Sequence, residues 1–96
     1  MLKQMFCIDY PQIMNKRYNG WKNCATWNVA FWLQNDENLY RMACDTVRRY
    51  PRERAIYSVV REDLGLFGTQ TPDGVNYNDP SLSKEELNSM LRELVS

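Results

Sequence analysis

The sequence predicts a mainly α-helical protein: a compact bundle of about four helices, with a short two-stranded β pairing as an addition. Three observations lead to this prediction. Apolar residues recur at helical spacing in three segments, a fourth segment is apolar on nearly every side, and glycine and proline concentrate between positions 65 and 82. The 96 residues, 44% hydrophobic and 25% charged, have the length and composition of a single globular domain over residues 1–96.

The first predicted helix covers Cys24 to Gln34, with the sequence CATWNVAFWLQ. Asn23 is of a type that caps helix N-termini, and the Asn19-Gly20 pair before it is typical of a turn. Because apolar residues occupy almost every side of this helix, we expect it to lie at the centre of the bundle, surrounded by its partners.

The second predicted helix follows Asp36, which can cap it, and ends where Pro51 stops or kinks the chain. Glu37 suits the positive end of the helix dipole. The arc predicted to be buried consists of Leu39, Met42, Ala43, Thr46, Val47 and Tyr50. The opposite arc, predicted to face solvent, consists of Arg41, Asp45, Arg48 and Arg49.

Two further helices are predicted near residues 52–64 and 84–95. Pro51 suits the start of the third helix, and its apolar side consists of Ile56, Val59, Val60 and Leu64. The fourth helix opens with a capping box, Ser83 and Glu86. Its apolar stripe consists of Leu87, Met90, Leu91, Leu94 and Val95.

The β pairing is predicted between two short alternating segments, Phe6 to Tyr10 and Val75 to Tyr77. The residues Thr71-Pro-Asp-Gly74, just before the second segment, are typical of a turn.

The residue types argue against an enzyme and against a bound cofactor or metal. The chain contains no histidine, which removes the commonest general base and metal ligand. No glycine-rich phosphate loop occurs, and the carboxylate pairs at 62–63 and 85–86 are sequential neighbours that do not face each other on a helix. The loop from Asp73 to Asp79 lacks calcium ligands at Val75 and Tyr77.

The cysteines and the hydropathy pattern predict a location in a reducing cytoplasm. Cys7, Cys24 and Cys44 form an odd set whose spacing matches neither a disulfide framework nor a metal knuckle. No stretch approaches the roughly 20 apolar residues that span a bilayer, so we expect no membrane contact.

An arginine-rich segment between Arg41 and Arg61 is the candidate binding region. Residues 1–61 hold ten basic and five acidic side chains, whereas residues 62–96 hold two and seven. These charges can pair within the domain, bind an acidic protein surface or, with tyrosines to stack on bases, bind nucleic acid. The sequence favours protein over nucleic acid and leaves a homodimer open. The candidate partner-binding residues are Arg41, Arg48, Arg49, Arg52 and Arg54.

Three tryptophans, Trp21, Trp27 and Trp32, lie within 12 residues. We expect them to pack in the core, because a buried indole removes a large apolar area from water. The alternative is that one of them anchors a partner, since large aromatic residues are common at the centres of interfaces.

Two motifs resemble a family of small proteins encoded by tailed bacteriophages and found in some bacterial chromosomes. The first motif is YNGWxNxxTWNVAxWLxNDxxLY, from Tyr18 to Tyr40, and the second is DGVxYxDPxLxxxELNxMLxE, from Asp73 to Glu93. This chain departs from the family pattern at residues 24–25, where we expect an aromatic and an acidic residue, and at Tyr77, where Trp is frequent.

The resemblance implies a compact helical domain that works in a phage or prophage setting, within the cytoplasm of the host bacterium. Many short phage proteins act by binding and blocking host machinery. We therefore expect a non-enzymatic accessory protein that binds a host or phage protein stoichiometrically, such as a host-takeover or anti-defence inhibitor of the anti-CRISPR kind. The alternative is a nucleic-acid-binding protein that uses the Arg41–Arg61 segment.

Overall fold

A computed structural model describes residues 20–96, which form four helices: α1 (Cys24–Asn35), α2 (Glu37–Arg49), α3 (Ile56–Asp63) and α4 (Lys84–Leu94). Helix α2 packs against the three others, and α4 also packs against α1 and α3. The predicted mainly α-helical bundle is confirmed. Its buried core consists of Val29, Ala30, Leu33, Ala43, Val47, Ile56, Tyr57, Val60, Tyr77, Leu82, Leu87, Met90 and Leu91.

Three of the helices begin at the residues predicted to cap them. The side-chain oxygens of Asn23, Asp36 and Ser83 each accept a hydrogen bond from the backbone N–H three residues later. The capping box of α4 is only half formed, because the Ser83 N–H donates to the Thr26 hydroxyl at 2.9 Å, and Glu86 accepts from the Lys22 N–H at 2.7 Å. The other half thus ties α4 to the chain just before α1.

A single residue, Asp36, joins α1 to α2. Its N–H donates to the Trp32 carbonyl at 3.0 Å, which closes α1. Its carbonyl accepts from the Tyr40 N–H at 2.8 Å, and its carboxylate accepts from the Leu39 N–H at 3.1 Å. One residue therefore ends one helix and begins the next.

The buried side of α2 differs from the predicted arc at two of its six residues and at Cys44. Met42 and Tyr50 are each 44% exposed, and Cys44 is buried instead. Because an α-helix turns by about 100° per residue, Met42 falls outside the arc of the helix surface that contains Ala43 and Val47. Tyr50 follows the end of the helix at Arg49, where its backbone leaves helical geometry, so helical spacing does not apply to it.

Helix α3 is shorter than predicted, because it starts at Ile56 rather than near residue 52. Pro51 therefore lies in a turn, although it does end α2 as predicted. The residue before the helix, Ala55, offers no capping side chain. Asn88 of α4 takes that role and accepts a hydrogen bond from the Tyr57 N–H at 2.7 Å.

The sequence predicts that helix α1 is surrounded by its partners, and this prediction is wrong, because one side of the helix is exposed. Its buried residues face α2, α4 and the segment that follows α3, whereas Phe31 remains 37% exposed. An apolar residue on each side of a helix therefore does not mean a partner on each side.

Residues 69–77 form a small hairpin-like loop around the predicted turn. The Gly74 N–H donates to the Thr71 carbonyl at 2.8 Å, and Gly74 has the positive φ that such a turn favours. Gln70 and Asn76 form an antiparallel bridge. The predicted β partner at residues 6–10 lies outside the described residues, and Asn76 pairs within its own loop.

The cysteines differ from the expectation of unpaired thiols. Cys24 is disulfide-bonded. Cys44 is a buried free thiol in α2. The spacing of an odd set of cysteines does not exclude one disulfide bond. The cysteine spacing therefore no longer supports the expected reducing environment.

Among residues 20–96, no helix has the length and apolar character that crossing a membrane requires.

Two core tyrosines are expected to make the fold sensitive to alkaline pH. Burial raises the pKa of Tyr77 to about 12, with a smaller contribution from the Asp36 carboxylate, and burial also raises the pKa of Tyr57. Above about pH 10 the tyrosines of the unfolded chain ionise while these two stay neutral in the folded state, so folding stability falls as pH rises.

Substitution of Tyr57 by Phe tests this pH dependence. The Tyr57 hydroxyl donates to the Tyr77 carbonyl at 2.6 Å, so Tyr57→Phe should cost about 1–2 kcal/mol at neutral pH. It should also flatten the loss of stability between about pH 9 and about pH 12 in urea unfolding. Tyr40→Phe, at a 37% exposed position, should change neither quantity. Equal pH slopes in wild type and Tyr57→Phe would contradict the role of Tyr57.

Candidate interaction surface

The five arginines predicted to bind a partner divide into those with an ion-pair partner among residues 20–96 and those without one there. Arg41 forms an exposed ion pair with Glu37, one turn earlier in α2. Arg49 binds the Asp63 carboxylate of α3 at 2.7 Å. Exposed pairs of this kind contribute little to stability, but they engage two of the five predicted partner-binding residues within the domain.

The other three predicted residues, Arg48, Arg52 and Arg54, are exposed and form no ion pair within residues 20–96. Tyr50, 44% exposed, lies among them in sequence. We call these four residues the arginine patch. Its members lie within seven consecutive positions, from the last turn of α2 into the connection to α3.

The connection that carries the arginine patch is held in place from α4. Arg92 donates hydrogen bonds to the carbonyls of Tyr50 and Glu53, and the Glu53 N–H donates to the Tyr50 carbonyl at 3.2 Å. The Glu53 carboxylate accepts from the Ala55 N–H at 3.1 Å. These bonds fix the backbone, so the patch is presented from a defined turn rather than from a loose loop.

Arg61, which the sequence groups with these arginines, lies elsewhere. It is 8% exposed, and its guanidinium contacts the rings of Tyr57 and Phe67. The basic segment is therefore not one continuous arginine surface. Apolar periodicity gives no sign of this, because an arginine can bury its long side chain among aromatic rings.

An open groove of about 410 Å³ beside α4 has an acidic lining. Glu85, Glu86 and Glu93 line it together with Trp21. Within residues 20–96, the Arg49–Asp63 ion pair joins the basic part of the chain to the acidic part. The predicted pairing of opposite charges within the domain is thus present at one place among the described residues, while the acidic groove is a separate surface.

The three tryptophans are half-buried, which corrects their predicted place inside the core. Trp21 packs against the core from the outside. Trp27 stacks on Phe31 with ring centroids 5.3 Å apart, and Trp32 meets the same ring edge-on at 5.4 Å. Trp27 and Trp32 therefore form a half-buried aromatic cluster with Phe31 on α1 and do not lie at the centre of the core.

Trp32 also belongs to a polar network that the sequence analysis did not foresee. Its Nε1 donates to the Asp73 carboxylate at 2.9 Å, and the amide of Asn28 donates to the same oxygen at 2.8 Å. The Thr71 hydroxyl donates to the Asn28 amide oxygen at 2.7 Å. Asn28 is fully buried and Thr71 is 3% exposed, so this network fixes the 69–77 loop on α1.

A second polar network joins the N-terminal ends of α1 and α4. The Thr26 hydroxyl, fully buried, accepts a hydrogen bond from the Ser83 N–H at 2.9 Å and donates to the Asn23 side chain at 2.7 Å. The Asn23 amide donates to the Ser81 carbonyl at 2.7 Å. The two sequence motifs are therefore halves of one structural unit, and their polar residues bind each other.

No group of three or more His, Cys, Asp or Glu side chains in residues 20–96 lies where it could hold a metal ion. The two tyrosines with raised pKa values stay neutral near pH 7. What the surface does offer is three arginines and a tyrosine on a fixed turn.

One family of proteins matches this chain over most of its length. The profile of the family of unknown function DUF7249 covers residues 14–96. The chain belongs to this family. The DUF7249 match includes both polar networks and the whole arginine patch. Among curated proteins and among solved structures, nothing matches the chain significantly.

Proposed function

We propose that this DUF7249 protein is a phage-type accessory protein, not an enzyme, that acts by stoichiometric binding to a host or phage protein. Its biological role would be to inhibit a host process or defence system, in the manner of anti-CRISPR proteins, in the cytoplasm of the host bacterium. The arginine patch carries the proposal: three exposed arginines and a tyrosine lie on a braced turn, without ion pairs in the described chain.

The chemistry of the patch favours an acidic protein surface as the partner. Arginine binds carboxylates through two parallel hydrogen bonds, and tyrosine adds a rigid apolar contact. The braced backbone of residues 50–55 reduces the entropy lost when the patch binds. Positive charge on an exposed turn also steers an acidic partner during diffusion.

Charge reversal within the patch tests the surface. The double variant Arg48→Glu, Arg52→Glu should slow association with a partner purified from host lysate about tenfold at low salt, and less at high salt. Arg49 is left unchanged because it binds Asp63. Lys22→Glu with Lys84→Glu, an equal charge change at exposed positions elsewhere, should leave most of the association rate intact. Equal effects from the two double variants would contradict the proposed surface.

Titration of the same partner tests the mode of action. A blocking protein reaches a plateau near one equivalent of its target, whereas an enzyme continues to act below one equivalent. Full inhibition at about a hundredth of the target concentration would contradict stoichiometric binding. Light scattering on the same samples gives the oligomeric state, including a homodimer.

Nucleic acid is the second candidate partner, and the exposed Tyr50 among the arginines is the observation that favours it. Binding through the patch would weaken steeply with salt and would be lost in the Arg48→Glu, Arg52→Glu variant. Fluorescence anisotropy with generic single- and double-stranded oligonucleotides at low salt separates the two proposals. Tight binding there would favour nucleic acid over protein.

A further inference from the structure

The acidic groove follows one side of α4. Among the residues that line it, Glu85, Ser89 and Glu93 are exposed and follow one another at four-residue spacing. They therefore lie on one face of the helix, over about 12 Å of its length. Glu85 and Glu93 form no ion pair within residues 20–96. The groove thus presents negative charge that the described part of the chain does not neutralise.

The groove also offers apolar contact. Trp21, which is half-buried, and Met90, which is 7% exposed, belong to its lining. Gln34 near the end of α1 lines it as well, so the groove lies between α1 and α4. A guanidinium pairs with carboxylates and stacks on an indole, and a tyrosine ring packs on apolar groups. The groove therefore suits a surface that carries arginine and tyrosine.

The arginine patch of the same protein is a surface of this kind. Arg48, Arg52 and Arg54 are exposed and form no ion pair within residues 20–96, and Tyr50 is 44% exposed. The patch has the charge opposite to that of the groove and carries the side chains that the groove suits. Among the described residues, no ion pair joins the patch to the groove within one molecule.

The two surfaces lie side by side near the C-terminal end of α4. Arg92 holds the turn that carries the patch through hydrogen bonds to the carbonyls of Tyr50 and Glu53, and the next residue, Glu93, lines the groove. A positive and a negative surface next to each other are self-complementary about a two-fold axis, because each can face the other kind on a second copy. The formal net charge of the chain is zero, so two copies do not repel each other as wholes.

We propose that two copies of this chain associate about a two-fold axis through two equivalent contacts, in each of which the arginine patch of one copy binds the acidic groove of the other. The inference goes beyond the proposed function, because it needs no host or phage partner. It also adds a form of regulation: the dimer covers the arginine patch, so an acidic partner has to compete with the second copy.

Sedimentation velocity of the full-length protein tests the self-association. We expect a dimer at about 0.02 M salt and a dissociation constant at least about tenfold higher at about 0.5 M salt, because salt screens the attraction. A monomer under both conditions, at protein concentrations up to about 0.5 mM, would overturn the proposal. A dimer that salt does not weaken would do so too, as would a series of larger species, which indicates head-to-tail association.

Charge reversal on either surface should give a monomer at low salt. The patch variant is Arg48→Glu with Arg52→Glu, and the groove variant is Glu85→Lys with Glu93→Lys. All four residues are exposed, so both variants should keep the fold, which circular dichroism checks. In either variant, surfaces of the same sign face each other, and the dissociation constant of the dimer should rise at least about tenfold. Dimerisation with unchanged affinity in either variant would contradict the proposed contacts.

An equimolar mixture of the two variants tests the pairing itself. The acidic patch of the first variant faces the basic groove of the second, and the basic patch of the second faces the acidic groove of the first, so both contacts attract again. We expect the fluorescently labelled patch variant to sediment as a monomer alone and as a dimer in the mixture. Restored association also excludes unfolding as the cause of the monomers. Absence of a dimer in the mixture would overturn the proposal.

A matched variant separates this pairing from attraction between net charges. Glu37→Lys with Glu62→Lys makes the same chemical change as the groove variant at two exposed positions outside both surfaces, and Glu37 loses only an exposed ion pair. This control should dimerise like wild type. It should leave the labelled patch variant monomeric, because an acidic patch would face an acidic groove in their heterodimer. Equal recruitment of the patch variant by the control and by the groove variant would contradict the two-fold pairing.

The groove variant also separates this inference from the proposed function. It removes self-association and leaves the arginine patch basic, so a stoichiometric partner should bind it at least as tightly as it binds wild type. Dimerisation and its restoration in the mixture, without any stoichiometric partner, would remove the proposed function and keep this inference. A stoichiometric partner without self-association would do the reverse.

Discussion

Substitution of Asn28 by Ala should lower the free energy of unfolding by about 3 kcal/mol. Asn28 is fully buried, and its amide donates to Asp73 while it accepts from the Thr71 hydroxyl. The truncated side chain would leave the Asp73 carboxylate with Trp32 as its only described side-chain donor, and Thr71 without its acceptor. Groups that stay buried and unpaired cost more than the hydrogen bond itself contributes.

Asn35→Ala provides a matched control on the same helix. Asn35 is exposed and donates only to the Phe31 carbonyl of its own helix at 2.9 Å, so the same chemical change should cost less than about 1 kcal/mol. Urea unfolding of the three proteins measures the difference. Equal midpoints for Asn28→Ala and wild type would contradict the anchoring role of the network.

Leu91→Ala in α4 should have the largest effect, about 3–5 kcal/mol. Leu91 is fully buried in the core that α4 shares with α2 and α3. The substitution removes the buried apolar groups and leaves a cavity that fixed helices cannot fill completely. Since a domain of this size has roughly 5–10 kcal/mol of stability in total, the substitution should remove a large part of it and lower the melting temperature by more than about 10 °C.

Leu94→Ala, one turn later in α4, is the matched control. It tests whether the loss of stability in Leu91→Ala comes from the burial of Leu91 and not from replacing any leucine of this helix. Leu94 is half-buried at the end of α4 and packs on the edge of the core, so its loss should cost less than half as much. Thermal unfolding followed by circular dichroism compares the two variants. A larger loss for Leu94→Ala than for Leu91→Ala would contradict the described core.

The features that the sequence predicted correctly depend on neighbouring residues. Asn23, Asp36 and Ser83 cap their helices through hydrogen bonds three residues away, and Pro51 ends α2 because of its own backbone. The Thr71–Gly74 turn is equally local. Short-range rules suffice where the physical cause lies within one helical turn.

The features that the sequence missed depend on distant residues. Helix α3 starts late because Asn88 of α4 caps it and Arg92 holds the preceding turn, and both contacts span more than 30 residues. The burial of Asn28 and Thr26 depends on acceptors and donors in the 71–83 region. A polar residue in an apolar helix could have signalled such partners, but only the tertiary structure identifies them.

Much the same holds for the candidate site. Charge alone placed the exposed arginines at positions 48, 52 and 54 among the candidates, but it could not show that Asp63 engages Arg49. The separation of Arg61 from the other arginines depends on a ring 6 residues later in the chain and on an amide 17 residues later. Charge composition therefore identifies a basic segment but not which of its members are available.

The one-residue joint at Asp36 has a consequence for the motions of the protein. Local opening of the end of α1 breaks the bond from the Asp36 N–H, and the same backbone movement displaces the two acceptors that begin α2. The two helices therefore cannot fray separately at this corner. They should exchange their amide hydrogens there as one cooperative unit, with a common free energy of opening.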